Sequence, residues 1–249
     1  MKEKIMLIAG CSHTAGSEIN GTEDSSFNRQ RSYGNVLAGK MGYRPINMAE
    51  PGSTNPTIAR SVLQWFKENY NPEIMEVFVV IGWTEPTRLE IPYHRKTWYN
   101  KMFPHTDCPA TSGNDYMRIN IGWEGSDPEH KLIIPEYHRF IAKNEKYLEI
   151  LSVNLVLQIQ YFLKSKNIDY VMCNVAHMFD KDNTFLRFYL DLIDSNKYFN
   201  MEDNEKSFYT KYKNAGFTNP QAKYFHHGQV PHTLFAGELY NFIEGNKCS

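Results

Sequence analysis

The chain has 249 residues, of which 41% are hydrophobic and 22% charged, with 15 glycines and 12 prolines. This composition excludes collagen-like, low-complexity and largely disordered proteins, and the length suits one sizeable domain. The 27 basic and 28 acidic residues leave a net charge of −1. A chain this balanced has no bulk attraction for phosphate backbones or anionic lipids, so we expect neither bulk nucleic-acid binding nor a membrane partner.

The cysteines and the apolar segments bear on the compartment. The four cysteines lie far apart without C-x-x-C spacing, which excludes a disulfide framework and a zinc ribbon. The apolar run that follows Lys4 is too short for a signal peptide, and no 18-residue apolar stretch occurs. We therefore expect a cytoplasmic protein.

The first third of the chain alternates strand-like and helix-like segments. Ile5–Ala9 is a continuous apolar run that ends at a glycine, which is typical of a strand buried on both faces. Asn55 resembles a helix N-cap, with Pro56 in the first helical position. The predicted elements here are strands at Ile5–Ala9, Arg44–Met48 and Glu76–Gly82, and helices at Tyr33–Met41 and from Pro56 to about Tyr70.

The segment from Trp83 to about residue 140 has no sustained period, yet it holds three of the four tryptophans and four of the nine histidines. A long irregular stretch inside a compact domain is usually functional. We interpret it as a large aromatic insertion. The region around Trp98 and Tyr99 could be a lid over the site, a protein–protein surface or a second small core.

Regular patterns return after the insertion. An apolar stripe is predicted to face the core from a helix, formed by Leu148, Leu151, Leu155, Ile159 and Phe162. The predicted elements are helices at Ile141–Asn167, Thr184–Ile193 and Thr233–Ile243, and a strand at Ile168–Val175. The whole order predicts an α/β fold with a mostly parallel sheet covered by helices on both faces. With no internal repeat or linker, residues 1–249 are predicted to form a single domain.

Ligands of open parallel sheets bind beyond the carboxyl ends of the strands, so the residues that follow each predicted strand are the candidates. A serine that attacks a carbonyl carbon needs a base within reach and N–H donors for the oxyanion. Ser12 follows the first strand and could be this nucleophile. The N–H groups of Ser12 and Gly52 could hold the oxyanion, and His226 could be the base.

These blocks resemble those of the SGNH (GDSL-type) hydrolases, which are esterases and lipases on a flavodoxin-like sheet. Their first block, Gly-Asp-Ser-x-x-x-Gly, is matched by GCSHTAG from Gly10 to Gly16, and their oxyanion glycine by Gly52. The spacing of their last block is kept by His226, His232 and Ala236. The resemblance implies a three-layer flavodoxin-like fold and hydrolysis of an ester by Ser12 and His226, with no cofactor and no metal. An O-acetyl group on a carbohydrate is one such substrate.

Two departures from the family pattern affect the chemistry. The third block, Gly-x-Asn-Asp, reads GWTE from Gly82 to Glu85, so Thr84 would be a weaker third oxyanion donor. The aspartate expected three residues before the histidine is replaced by Lys223, which leaves a Ser–His pair without the usual acid. We expect the substrate to be bound by His13, Trp83, Glu85 and Arg88.

A looser resemblance links GCSHT from Gly10, IGWT from Ile81 and Arg88 to a branch common among uncharacterised proteins of tailed bacteriophages. It implies a location in the host cytoplasm or in the virion, and self-association or virion partners. The rival function is therefore a catalytically weak or inactive phage structural or interaction protein on the same fold. A nucleotide-binding protein is a poorer hypothesis, because the loop from Gly10 to Gly16 lacks the Gly-Lys-Ser/Thr ending of a phosphate loop.

Several candidates also have simpler structural interpretations. Ser12 could cap the segment that follows it, and Gly52 could serve only the turn. His13 could face solvent, and Glu85 and Arg88 could form an exposed ion pair. Asn55 is better explained as a helix cap than as an oxyanion donor, and Cys11 as a small buried hydrophobe.

The late histidines raise the question of a metal site. Such a site would group His226, His227 and His232 with Asp180 or His177. Their spacing matches no standard zinc signature, so we expect no metal.

Overall fold

The computed structural model describes residues 2–92, 116–119, 128–180 and 182–247. The remainder of the predicted insertion, including Trp98 and Tyr99, lies outside the described residues.

Five parallel strands form the main sheet, in the order β2-β1-β3-β6-β7. This is the 2-1-3-4-5 order of flavodoxin-like sheets, and it confirms the predicted α/β class with a mostly parallel sheet. The four strands predicted from apolar runs lie within two residues of their expected bounds. The strands are β1 Glu3–Ala9, β2 Arg44–Asn47, β3 Met75–Trp83, β4 Leu89–Pro92, β5 Tyr116–Ile119, β6 Asp169–Asn174 and β7 Tyr198–Phe199.

Helices cover both faces of the sheet. Along β1, Ile5 and Leu7 pack into one apolar cluster while Met6 and Ile8 pack into another, because successive side chains of a strand point to opposite faces. The helices are α1 Ser12–Ala15, α2 Ser26–Arg31, α3 Tyr33–Met41, α4 Asn55–Asn69, α5 Pro128–Tyr137, α6 Glu145–Ser165, α7 Arg187–Leu190, α8 Phe208–Asn214 and α9 Gln229–Lys247. The α4 and α6 helices cover the first cluster, and α3 and α9 cover the second.

Three helix predictions are wrong in detail. Thr54, not Asn55, caps α4, since the Thr54 hydroxyl accepts a hydrogen bond from the Thr57 N–H. In α6, Leu151 is 39% exposed, because the buried face runs through Ser152 and Val156 instead. The helix predicted at Thr184–Ile193 shrinks to α7. In addition, α1, α2, α5, α8, β4, β5 and β7 were not predicted.

The described part of the insertion forms a small apolar core of its own. Strands β4 and β5 pair antiparallel, and Ile119 of β5 is buried with Tyr137. Arg118 of β5 forms a 2.6 Å ion pair with the buried Glu50, so this segment is anchored to the loop that contains Gly52. None of the helices that the structure describes is both long and apolar enough to span a membrane.

Candidate active site

Ser12 lies at the carboxyl edge of the sheet, in the turn that leaves β1. The N-cap position of α1 is held by Cys11, whose side chain makes no capping bond, and Ser12 is the first residue of the helix. The interpretation of Ser12 as a helix cap is therefore wrong, whereas Cys11 is the buried residue that the sequence suggested. The Ser12 hydroxyl therefore has no capping role in α1.

Two glycines allow this turn to pack closely. A Cβ on Gly10 would lie 2.2 Å from Thr14 Oγ1, and a Cβ on Gly82 would lie 2.3 Å from the Tyr33 hydroxyl and 2.4 Å from Thr14 Oγ1. The hydroxyls of Thr14 and Tyr33 are themselves hydrogen-bonded at 2.8 Å in the buried interior. The ends of β1 and β3 thus hold Thr14 between them, and this fixes the position of Ser12 two residues earlier.

His226 reaches the same edge from the loop before α9. Its ring centroid lies 4.8 Å from that of His13, the residue next to Ser12. No hydrogen bond joins Ser12 to His226 within the described parts of the chain; catalytic hydrogen bonds are often long before substrate binds. The structure thus brings the predicted nucleophile and base to one end of the sheet.

The acid beside His226 is Glu18, which the sequence reasoning missed. Glu18 Oε2 lies 2.6 Å from His226 Nδ1, and the two side chains are only 2% and 10% exposed. The Glu18 carboxylate also accepts hydrogen bonds from the backbone N–H groups of Lys223 and Tyr224. The sequence offered no signal for this contact beyond the presence of an acid six residues after Ser12.

The protonation of the pair follows from its surroundings. Burial raises the pKa of Glu18, but the hydrogen bonds from His226, Lys223 and Tyr224 outweigh burial, so the net pKa is lowered. An ionised carboxylate can only accept hydrogen bonds, so the proton of neutral His226 must lie on Nδ1. Its Nε2 then keeps a free lone pair and can act as a base.

The other three histidines near this loop are buried. Burial, followed by the charge of His226, lowers the pKa of His13, whose Nδ1 has no hydrogen-bond partner among the described residues. His13 therefore does not face solvent. His227 bonds the Tyr209 carbonyl at 3.0 Å. His232, which lies inside α9 and not before it, accepts a hydrogen bond from the Tyr33 N–H, and burial lowers its pKa to about 3.

Across the described ranges, no three His, Cys, Asp or Glu side chains are grouped so that they could hold a metal ion. His177, one of the residues considered as a ligand, lies 3.2 Å from Asn204 Nδ2 instead.

Gly52 lies in the loop after β2, which is tied to the turn that contains Ser12 by a hydrogen bond from the Glu50 N–H to the Gly10 carbonyl. Gly52 has a φ of 73°, in the left-handed region that favours glycine. The loop is therefore held beside the turn that contains Ser12, through Gly10.

Thr84 is not available as the predicted third oxyanion donor. Its hydroxyl donates to Glu85 Oε2 at 2.8 Å, and its side chain is fully buried. The Thr84 backbone is clamped by Asn55, which accepts from its N–H and donates to its carbonyl. The predicted oxyanion role of Thr84 is not supported by this geometry.

The predicted substrate contacts at the end of β3 separate into two kinds. Trp83 is fully buried in the apolar cluster under α4 and α6, so its predicted substrate contact is wrong. Glu85 and Arg88 form the expected ion pair at 2.6 Å and remain partly exposed. Burial raises the pKa of Glu85, but the charge of Arg88 and the hydrogen bond from Thr84 outweigh burial, so the net pKa is lowered.

Comparisons with known proteins add only distant structural matches. A scan against protein-family models found no match, and a search of curated proteins found none either. A carbohydrate esterase family 2 enzyme with a carbohydrate-binding domain from Corynascus thermopiles (Myceliophthora fergusii) matches at 11% identity and a TM-score of 0.48, over 99% of this chain and 67% of that one. The acetyl xylan esterase Est2A from Butyrivibrio proteoclasticus matches at 9% identity and a TM-score of 0.48, over 100% and 65%.

The psychrotrophic esterase EstA from Pseudoalteromonas sp. matches at 12% identity and a TM-score of 0.45, over 99% of this chain and 100% of that one. The chain thus spans about two thirds of the length of the two carbohydrate esterases and the whole length of EstA. The fold assignment rests on the strand order and register of the main sheet.

Proposed function

We propose that this protein is a serine ester hydrolase of the SGNH type, with Ser12 as the nucleophile and His226 as the general base. The observation that carries the proposal is the placement of His226. Its ring packs against the residue next to Ser12, and its Nδ1 is held by a carboxylate, which leaves Nε2 as the base. A hydroxyl, a correctly protonated imidazole and a glycine loop at one sheet edge are the parts that acyl transfer needs.

The reaction proceeds in two halves. Ser12 Oγ attacks the acyl carbon while its proton passes to His226 Nε2, and the tetrahedral intermediate collapses as His226 returns that proton to the leaving alcohol. Water then attacks the acyl-serine, again with His226 as the base, which releases the carboxylic acid and regenerates the Ser12 hydroxyl. No cofactor enters either half.

The oxyanion is held by the backbone N–H groups of Ser12 and Gly52. The candidates for the substrate side of the site are His13 and the Glu85–Arg88 pair. Arg88 belongs here because its positive charge contributes to the lowered pKa of His13. A charged, hydrogen-bonding wall suits a small polar ester, and we propose an O-acetylated carbohydrate as the substrate class.

One observation favours a second candidate, a weakly active or inactive interaction protein of a phage. Phe185 and Phe188 expose 66% and 69% of their surfaces near α7. Exposed aromatic side chains at adjacent turns are typical of interaction surfaces. This candidate implies self-association or binding to virion components.

A fluorophosphonate probe tests the first candidate. We expect the probe to label the wild-type protein at Ser12, located by mass spectrometry, and to leave Ser12→Ala unlabelled. Ser165→Ala is the matched control, because Ser165 lies in the last turn of α6, at the opposite edge of the sheet, where its hydroxyl bonds the Phe162 carbonyl. An unlabelled but folded wild-type protein would contradict the hydrolase and favour the interaction protein.

A further inference from the structure

We propose that Glu18 is the positioning acid of the catalytic histidine, supplied from the nucleophile loop in place of the acid missing at residue 223. This inference rests on the proposed hydrolase function and identifies the residue that completes its Ser–His pair. Glu18 acts through His226 and contacts neither the acyl group nor the reacting hydroxyl.

Both oxygens of the Glu18 carboxylate accept hydrogen bonds. Oε2 accepts from His226 Nδ1 at 2.6 Å and from the Tyr224 N–H at 2.9 Å, and Oε1 accepts from the Lys223 N–H at 2.8 Å. The Glu18 backbone is held as well, since its carbonyl accepts from Asn219 Nδ2 at 2.7 Å. A buried carboxylate with all these partners is fixed against the imidazole and cannot rotate away.

The backbone at Glu18 is strained. Its φ is 62°, in the left-handed region where a non-glycine residue costs about 1–3 kcal/mol. Phe225, directly before His226, has a φ of 63°. Two strained residues therefore bring the carboxylate and the imidazole together. Strain of this kind persists at functional sites, where the surrounding structure holds it.

The position of the carboxylate explains why residue 223 can be a lysine. The Lys223 backbone N–H bonds Glu18 Oε1, so the space beside residue 223 already contains a carboxylate. The Lys223 side chain is exposed and lies over the Tyr224 ring, with its Nζ 5.1 Å from the ring centroid. A carboxylate from another loop thus lies beside the histidine.

The chemical consequence concerns the tautomer and the charge of His226. The Glu18 carboxylate keeps the proton on Nδ1, so Nε2 faces the reaction as a base, and it stabilises the imidazolium that forms when Ser12 is deprotonated. Glu18 itself stays ionised throughout. Other titratable groups also surround this pair: Glu23, Lys223, His13, His227, His232 and Arg88.

The kinetic test uses hydrolysis of p-nitrophenyl acetate. We expect Glu18→Gln to lower kcat by between about 10²- and 10⁴-fold with little change in KM, because the amide can donate to Nδ1 and favour the wrong tautomer. Glu23→Gln is the matched control, since Glu23 is a neighbouring carboxylate without a bond to the histidine, and it should leave kcat unchanged.

A second measurement does not depend on turnover. The ring ¹⁵N shifts of His226 in the wild-type protein should place the proton of the neutral ring on Nδ1, and in Glu18→Gln they should move toward the Nε2-protonated form. This wild-type spectrum tests the proposal even if Glu18→Gln does not fold. An Nε2-protonated His226 in the wild-type protein would overturn the role of Glu18.

The two measurements separate this inference from the proposed function. Ester hydrolysis through Ser12 with an unchanged kcat in Glu18→Gln would overturn the role of Glu18 and leave the hydrolase standing. The expected tautomer and its loss in Glu18→Gln, in a wild-type protein that neither hydrolyses esters nor labels at Ser12, would overturn the hydrolase and retain the positioning contact. Loss of kcat only in proportion to lost folded protein would assign Glu18 a structural role.

Discussion

The sequence departs from the SGNH block pattern at two positions, residues 223 and 84, and the surroundings of these two positions differ. At residue 223 the usual acid is replaced by lysine, yet a carboxylate from Glu18 lies 2.6 Å from His226. At residue 84 the usual amide is replaced by threonine, and the Thr84 hydroxyl donates to Glu85. The missing acid is therefore replaced by a carboxylate from another loop. The missing amide is not replaced by the Thr84 hydroxyl.

The difference follows from what each role demands. An acid that positions a histidine needs only to reach Nδ1, and any loop that passes the outer edge of the ring can supply it. An oxyanion donor must lie 2.7–3.1 Å from one point in space, which is fixed by the nucleophile. Residue 84 directly follows β3 and its backbone is clamped by Asn55, so its side chain has little freedom to reach that point. Positioning acids can therefore move between loops more readily than oxyanion donors can.

The largest effect should come from the histidine that the acid holds. We expect His226→Gln to lower kcat for p-nitrophenyl acetate by about 10⁴-fold or more, because the general base is lost while the fold is kept. His227→Gln is the matched control, since the His227 ring bonds the backbone at Tyr209 and Phe217, and it should retain most of the activity. Steady-state kinetics on both purified variants checks this. Equal losses in the two variants would show that the wrong histidine has been assigned.

The third block keeps its glycine even though it has lost its amide, and this glycine should be costly to replace. Gly82→Ala places a Cβ 2.3 Å from the Tyr33 hydroxyl and 2.4 Å from Thr14 Oγ1, so the buried interior must shift. We expect the free energy of unfolding to fall by about 1–3 kcal/mol, measured from urea denaturation. Gly39→Ala, in α3 with open space around its Cβ, should instead raise it by about 0.4–1 kcal/mol. A neutral Gly82→Ala would show that the packing at the end of β3 is looser than described.

The free energy of unfolding should begin to fall, as the pH is lowered, because of buried histidines and before the carboxylates titrate. The pKa of His232 is lowered to about 3 in the folded protein, so between about pH 6.5 and pH 3 the unfolded chain binds the extra proton. Stability is therefore complete above pH 6.5 and falls as the pH falls. The lowered pKa of Glu18 adds to this loss only below its unfolded value of about 4.3.

His232→Asn tests this acid dependence. The variant removes the titrating ring and keeps an acceptor for the Tyr33 N–H. Between pH 7.5 and pH 5.5 we expect the variant to lose about 1 kcal/mol less of its unfolding free energy than the wild type does. Urea denaturation at both pH values measures the difference, and parallel losses would contradict a buried neutral His232.

The sequence predicted the parts of the fold and the site that depend on local patterns. Apolar runs that end at glycine placed the strands well, and the block around Ser12 placed this serine in the turn after the first strand. Trp83 was misassigned because the third strand was ended at Gly82. The strand continues for one more residue, and the alternation of Val79 and Ile81 then carries Trp83 into the core. When one glycine is used to predict where a strand ends, an error of a single residue changes whether the next side chain is assigned to the core or to the site.

Glu18 could not be predicted in the same way. Its contact with His226 spans 208 residues of sequence and depends on a left-handed backbone that glutamate rarely adopts. The Thr84 hydroxyl points toward Glu85, to which it donates a hydrogen bond. The local sequence does not predict this side-chain direction. Residue types at the strand ends therefore indicate the chemistry of the site, whereas the pairing of side chains across loops requires the folded structure.

The smallest effect should come from the position that is not compensated. Thr84→Val removes the hydroxyl and keeps the shape of a fully buried side chain. Loss of a true oxyanion donor costs about 10²- to 10³-fold in kcat. The Thr84 hydroxyl donates to Glu85, so we expect less than about a tenfold loss in kcat, with any change in KM arising through the Glu85–Arg88 pair. Steady-state kinetics on p-nitrophenyl acetate measures this loss. A loss in kcat of about 10²-fold or more would mean that the Thr84 hydroxyl turns toward the oxyanion when substrate binds, so that threonine replaces the missing amide donor.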